Sequence, residues 1–221
     1  MGLDRGGSTV DELVRSICNL VAERTPTEAP LLVAIDGLGG AGKSTFSDGL
    51  VRRLQACQVD AEIVHMDDFY LPTAQRLQAR GQENQIGSNF DWQRLRDQVL
   101  IPLSRGRQVV YQRYDWGTDS LGEWIALSGQ PIVIIEGVYA LRHELRSYYH
   151  LTVWIDCPRA TRLARGIARD GEDARQQWEE EWMPREDRYL ASHLPHLAAE
   201  WVYASKGTHG PTCEWQRLRL R

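Results

Sequence analysis

The chain has 221 residues, enough to bury a full core, and its length reads as a single domain over 1–221. Its 26 lysines and arginines against 30 aspartates and glutamates leave a net charge of −4, which argues against nucleic acid as a partner. Four dispersed cysteines, Cys18, Cys57, Cys157 and Cys213, form neither a CxxC pair nor a Cys/His metal spacing and read as reduced thiols of a cytoplasmic protein. The N-terminus carries neither a secretory apolar region nor a myristoylation pattern, and no apolar run reaches the length of a membrane span, so no membrane partner is expected.

About 1–29 reads as an N-terminal helix and connector. Val10, Leu13, Val14, Ile17, Leu20 and Val21 recur at helical spacing, with Thr9 placed to cap the helix and Glu12 three residues on. The proline-bounded TPTEAP follows, and then LLVAID (31–36), a continuous apolar run of the kind buried on both faces of a parallel sheet. Residues 44–57 return to helical periodicity. Further runs of the same strand type are 61–66, 131–136, 151–156 and, more weakly, 200–204, with an extra strand or hairpin at 108–115. Helical stretches are expected over 91–104, 141–149 and 158–194, where Trp178 and Trp182, four apart, read as an apolar stripe against the sheet. The tail CEWQRLRLR reads as a solvated, basic end. Strands alternating with helices define an α/β class with a mostly parallel, doubly wound sheet.

Between the first strand and its helix stands GLGGAGKST: Gly37, Leu38, Gly39, Gly40, Ala41, Gly42, Lys43, Ser44 and Thr45. It meets G-x-x-x-x-G-K-[ST] at every fixed position, in the strand-loop-helix context that the motif requires. A loop poor in side chains lets backbone N–H groups close on phosphate, and the start of the following helix favours the same negative charge. Lys43 is expected at the outer phosphates of ATP and Ser44 on Mg²⁺. In an open α/β sheet the ligand lies beyond the carboxyl ends of the strands, which places Asp67, in HMDDFY, at the site as a proton acceptor or as a holder of magnesium-bound water. His65 reads as a strand side chain with a structural hydrogen bond.

Six segments resemble, in order and spacing, the uridine kinase family, comprising uridine/cytidine kinases and phosphoribulokinase-like relatives. They are GLGGAGKST; MDDFY, with Asp67 in the base position; NFD at 89–91; YDW at 114–116; IIEG at 134–137; and TRLAR through Arg169-Asp170. The resemblance implies a three-layer P-loop NTPase fold with a mostly five-stranded parallel sheet, a small hairpin and a helical lid over about 158–175. It also implies transfer of the ATP γ-phosphoryl group to an alcohol, most simply a nucleoside. Asp67 is then the base; Lys43, Arg165 and Arg169 the phosphate clamp; Ser44 and Glu136 the Mg²⁺ side; and Asp91, Tyr114 and Arg162 the acceptor site. Arg162, Arg165 and Arg169 stand at helical offsets that let them close over a triphosphate, or form a solvated face paired with neighbouring acids.

Where the family carries a base-reading histidine, this sequence has Asp119, which accepts but does not donate when ionised. A non-nucleoside acceptor such as pantothenate, glycerate or a sugar therefore stays open. So does a nucleotide-dependent switch or partner-binding protein, although no N-K-x-D guanine-recognition sequence is present.

Overall fold

The computed structural model describes residues 9–25, 29–78, 86–206 and 214–218. The side chain of Thr9, with its expected cap, and the thiol of Cys213 lie outside the described residues.

Helix α1 (Thr9–Ala22) precedes β1 (Leu31–Asp36), and the glycine loop leads into α2 (Lys43–Ala56). β2 (Ala61–His65) ends in a tight turn, Met66–Phe69, and α3 (Thr73–Gln78) follows. Helix α4 (92–104) contains a π turn at Arg96–Leu100; β3 (Val110–Asp115) and β4 (Ser120–Ala126) then form an antiparallel hairpin. β5 (Ile132–Glu136), β6 (Leu151–Asp156) and β7 (Trp201–Lys206) complete the parallel sheet. The order is β2-β5-β1-β6-β7-β8, with β8 (Glu214–Leu218) antiparallel at the edge. The sheet thus has six strands, five of them parallel.

The continuous apolar runs are explained by burial on both faces. Leu31, Val33 and Ile35 of β1 pack under α1 and α2 with Leu13, Ile17, Phe46 and Leu50. Leu32 and Ala34 face the other layer, with Leu95, Val99 and Leu103 of α4 and Tyr111 of the hairpin. Each fully buried leucine in these layers stabilises the fold by roughly 1.5–3 kcal/mol.

Three expectations are corrected. The stretch 141–149 is not a helix: its backbone makes i→i+3 turns, and the Leu141 carbonyl accepts from the Arg146 side chain. The long helix over 158–194 is broken at Gly171 (φ 91°) into α5 (Arg159–Asp170) and α6 (175–193), the latter with a π turn at Trp178–Trp182. The tail contributes a strand, because Trp215 packs edge-on against Phe46 with ring centroids 5.0 Å apart, while Arg217 pairs with Glu12. A short helix α7 (Pro195–Ala198) precedes β7. Among the described residues no helix is long and apolar enough to cross a membrane.

Candidate active site

The loop after β1 takes its shape from glycine. Gly40 (φ 75°) and Gly42 (φ 99°) occupy left-handed backbone, and a Cβ at Gly40 would stand 2.4 Å from the Arg162 carbonyl oxygen. Asp36 anchors the loop's entrance: buried, it accepts the N–H groups of Gly37 (2.6 Å) and Leu141 (2.7 Å) and the Tyr189 hydroxyl (2.6 Å). Burial pushes its carboxyl up to about 6 against the pull of these donors.

Lys43, Ser44, Asp67, Glu136 and Arg169 line one cavity of about 470 Å³ at the carboxyl ends of β1, β2 and β5, together with Gly39 and Gly40. Lys43 Nζ lies 3.4 Å from the Leu38 carbonyl oxygen, and the Ser44 hydroxyl donates to Glu136 at 3.4 Å. The other oxygen of Glu136 pairs with His65 Nδ1 at 2.8 Å, which raises the imidazole's pKa and gives His65 the structural bond expected of it. Asp67 sits inside the Met66–Phe69 turn with its carboxylate open to the cavity. Walled by protein on its other sides and close to Glu136, it is raised above the ordinary carboxylate range.

Five of the expected contact residues therefore share the cavity; four others do not. Asp91 caps α4, accepting the Arg94 N–H at 3.0 Å and pairing with its guanidinium. Tyr114 donates its hydroxyl to Asp119 at 2.5 Å. Arg162, 4% exposed along its side chain, pairs with Glu186 at 2.9 Å. Arg165 Nη1 lies 3.4 Å from the carbonyl oxygens of Gly40 and Ala41 and from Cys157 Sγ. In each case the side chain holds the frame of the site rather than reaching its interior. Arg169 does line the cavity, but it also pairs with Asp170, so clamp and charged-face readings both apply.

Sequence reasoning placed Trp178 against the sheet; it is buried instead between lid and loop. A Cβ at Gly166 of α5 would meet its ring at 2.4 Å and one at Gly39 at 3.1 Å, and its Nε1 donates to Asp170 at 2.9 Å. Trp178, Trp182, Arg185 and Glu186 of α6 all line the cavity; the spacing of Trp178 and Trp182 marked an aromatic stripe without saying what it faces, and no motif signalled Arg185 or Glu186. Across from them Tyr70 stacks on Trp116 (4.7 Å) and meets Phe90 edge-on (5.0 Å), an aromatic wall suited to a flat or apolar acceptor face. Here a signal existed, since all three residues belong to the short segments singled out in the sequence. Asp119 lies outside this wall, its carboxylate taken by the Thr73 N–H (3.0 Å) and Tyr114.

The oxygens present fit a magnesium ion. Ser44 and Glu136 are hard donors side by side, with Asp67 in the same cavity, and Mg²⁺ takes one or two protein oxygens and completes its shell with phosphate and water. Among the described residues there is no three-member His/Cys/Asp/Glu cluster that would hold a metal by itself.

A parallel sheet, a glycine loop ending in lysine and serine, and carboxylates on neighbouring strand ends define a P-loop kinase fold. The model of the Phosphoribulokinase / Uridine kinase family matches residues 32–181, and the chain belongs to that family. It is 26% identical over 157 residues to a uridine kinase of Ureaplasma parvum, covering 69% of this chain and 75% of that one. Two solved structures share the fold. A "Possible Uridine Kinase" from Bacillus stearothermophilus superposes with a TM-score of 0.65 at 24% identity, over 87% of this chain and 98% of that one. D-glycerate 3-kinase from Cryptococcus neoformans gives 0.60 at 12% identity, over 96% and 100%. Membership of this kinase family makes the chain a phosphotransferase that uses ATP and a small-molecule substrate.

Proposed function

We propose that the chain transfers the γ-phosphoryl group of Mg-ATP to a hydroxyl of a small molecule, with a nucleoside as the acceptor. The observation that carries this reading is the single cavity shared by Lys43, Ser44, Asp67, Glu136 and Arg169. Phosphoryl transfer asks a protein mainly to neutralise oxygens and align the acceptor. Lys43 and Arg169 supply positive charge to the phosphate oxygens. Ser44 and Glu136 would hold Mg²⁺, which when bound would supply positive charge to the nucleotide's phosphates. Asp67 takes the proton of the acceptor hydroxyl. Arg162 and Arg165 act through the loop they hold, and Asp91 and Tyr114 through α4 and the hairpin.

The names of the matched relatives support a nucleoside, and the Tyr70–Trp116 wall offers a base a stacking face. A second reading, a non-nucleoside alcohol such as pantothenate, glycerate or a sugar, draws support from Asp119, which is engaged by Thr73 and Tyr114 and offers a base no donor. ADP release from Mg-ATP, measured with uridine, cytidine, other nucleosides, pantothenate, glycerate and sugars, tests both. Stimulation by uridine or cytidine is the expected result; stimulation by another alcohol moves the acceptor. ATP binding without acceptor-dependent release would replace the kinase reading with a switch or partner-binding role.

A further inference from the structure

Glu186 is a carboxylate that the phosphoryl-transfer scheme leaves without a task, and it lies on the loop where phosphate is to be received. Its side chain is 8% exposed. Oε1 accepts the Gly39 N–H at 2.9 Å and Oε2 accepts Arg162 Nη1 at 2.9 Å. The contact is close: a Cβ at Gly39 would stand 2.7 Å from Oε1. Gly39, Glu186, Lys43 and Asp67 line the same cavity.

Loop N–H groups are the donors with which such a fold holds phosphate oxygens. A carboxylate on one of them presents the charge and the acceptor atoms of a phosphate. Lys43 and Ser44, at the start of α2, line this cavity with Asp67 as Gly39 does, and Gly39 stands four residues before the helix. Taking the helix start as the inner part of the cradle puts Gly39 toward its outer end. An outer phosphate arriving there meets Glu186 as a like charge inside protein, where repulsion is screened far less than in water.

We propose that Glu186 is an internal anion on the phosphate loop that sets the preference between nucleoside tri- and diphosphate. Its carboxylate holds the Gly39 N–H against the outermost phosphate, so a triphosphate has to displace it and a diphosphate leaves it in place. Arg162 keeps the displaced carboxylate paired, which makes the exchange cost one hydrogen bond instead of an isolated buried charge. This rests on the reading of the chain as an ATP-dependent kinase.

The test is equilibrium binding of Mg-ATP and Mg-ADP to the full chain, followed by fluorescence of the tryptophans beside the loop. The variants are Glu186→Gln, which removes the charge, and Glu186→Asp, which keeps the charge near Arg162 but is one methylene too short for Gly39. Glu186→Gln is expected to tighten ATP at least tenfold while ADP changes less than threefold, and Glu186→Asp to shift the ratio in the same direction by less. The Gln side chain turns a donor toward Arg162, so thermal unfolding checks its fold, and if it fails the Asp variant decides on the same ratio. An unchanged ratio, or equal weakening of both nucleotides, would overturn the proposal and leave Glu186 a brace for the loop. Wild-type protein that binds neither nucleotide would overturn the kinase reading with it, whereas normal wild-type binding with an unchanged ratio removes Glu186 alone.

Discussion

Replacing Tyr189 by Phe removes one hydroxyl from the brace behind the phosphate loop and keeps the ring that fills the space. The hydroxyl donates at 2.6 Å to Asp36, whose carboxylate also accepts Gly37 and Leu141 N–H groups in a fully buried setting. Because burial raises the folded Asp36 carboxyl to about 6, above its unfolded value near ~4, its contribution to stability is fully present below the unfolded value. That contribution is lost as the pH rises through 6, and an elevation of this size corresponds to about 3 kcal/mol. A hydrogen bond to the ionised carboxylate is worth about 1.5–3 kcal/mol and one to the protonated group about 1 kcal/mol. Tyr189→Phe also removes a donor that holds the Asp36 pKa down, so the damage grows with pH. Urea unfolding of both proteins should show a loss of about 2–3 kcal/mol at pH 8 and about 1 kcal/mol at pH 5. Equal losses at the two pH values would refute the assignment of a titrating Asp36, and no loss at either would refute the bond.

Asp67→Asn should lower turnover by about two to four orders of magnitude while the Kd for Mg-ATP, measured by calorimetry, changes less than about threefold. In the wild type, kcat should rise with pH through the raised Asp67 pKa, with its acid limb above the ordinary carboxylate range; a limb at or below that range removes Asp67 as base. Arg162→Gln strands the Glu186 carboxylate in protein, and thermal or urea unfolding should register a loss of about 3–5 kcal/mol. Gly166→Ala pushes a methyl to within 2.4 Å of the Trp178 ring; it should cost about 1–3 kcal/mol and shift tryptophan emission, and an unchanged spectrum would mean that lid and loop are not packed together.

What the sequence made legible follows from how local each signal is. β1 is an unbroken apolar run because both its faces are covered, and the glycine loop is fixed by backbone demands confined to a few residues. Asp67 and Glu136 could be placed because strand ends in a parallel sheet share one rim. The edge strand β8 escaped notice because EWQRL offers only Trp215 and Leu218 to the core, and its charges resemble those of a solvated tail. The arginines show the other limit. Helical spacing predicts that Arg162, Arg165 and Arg169 neighbour one another, but whether that helix faces solvent, nucleotide or the loop itself is set by packing against α6, far away in sequence. Glu186 and Tyr189 had no local signature for the same reason: their partners, Gly39 and Asp36, lie 147 and 153 residues away.

Those displaced arginines still bear on phosphate, through the geometry of the peptide unit. Each peptide is planar and trans, so holding a carbonyl oxygen in one direction turns the next residue's N–H the opposite way. Arg162 Nη1 stands 3.5 Å from the Gly39 carbonyl oxygen, and Arg165 Nη1 3.4 Å from that of Ala41. The following N–H groups, of Gly40 and Gly42, are thereby turned away from the lid helix. Gly40 and Gly42 are also the loop residues with left-handed backbone, where a glycine chain is least constrained by its own sterics. A loop this free needs outside contacts to hold its donors ready, and catalysis by alignment gains from each one fixed before the nucleotide arrives. The lid helix, held in turn by Glu186 and by Trp178 against Gly166, supplies them. In the proposed reaction the two arginines therefore stabilise transferred charge at one remove, by orienting the backbone that meets it, and Arg169 alone of the three faces the cavity directly.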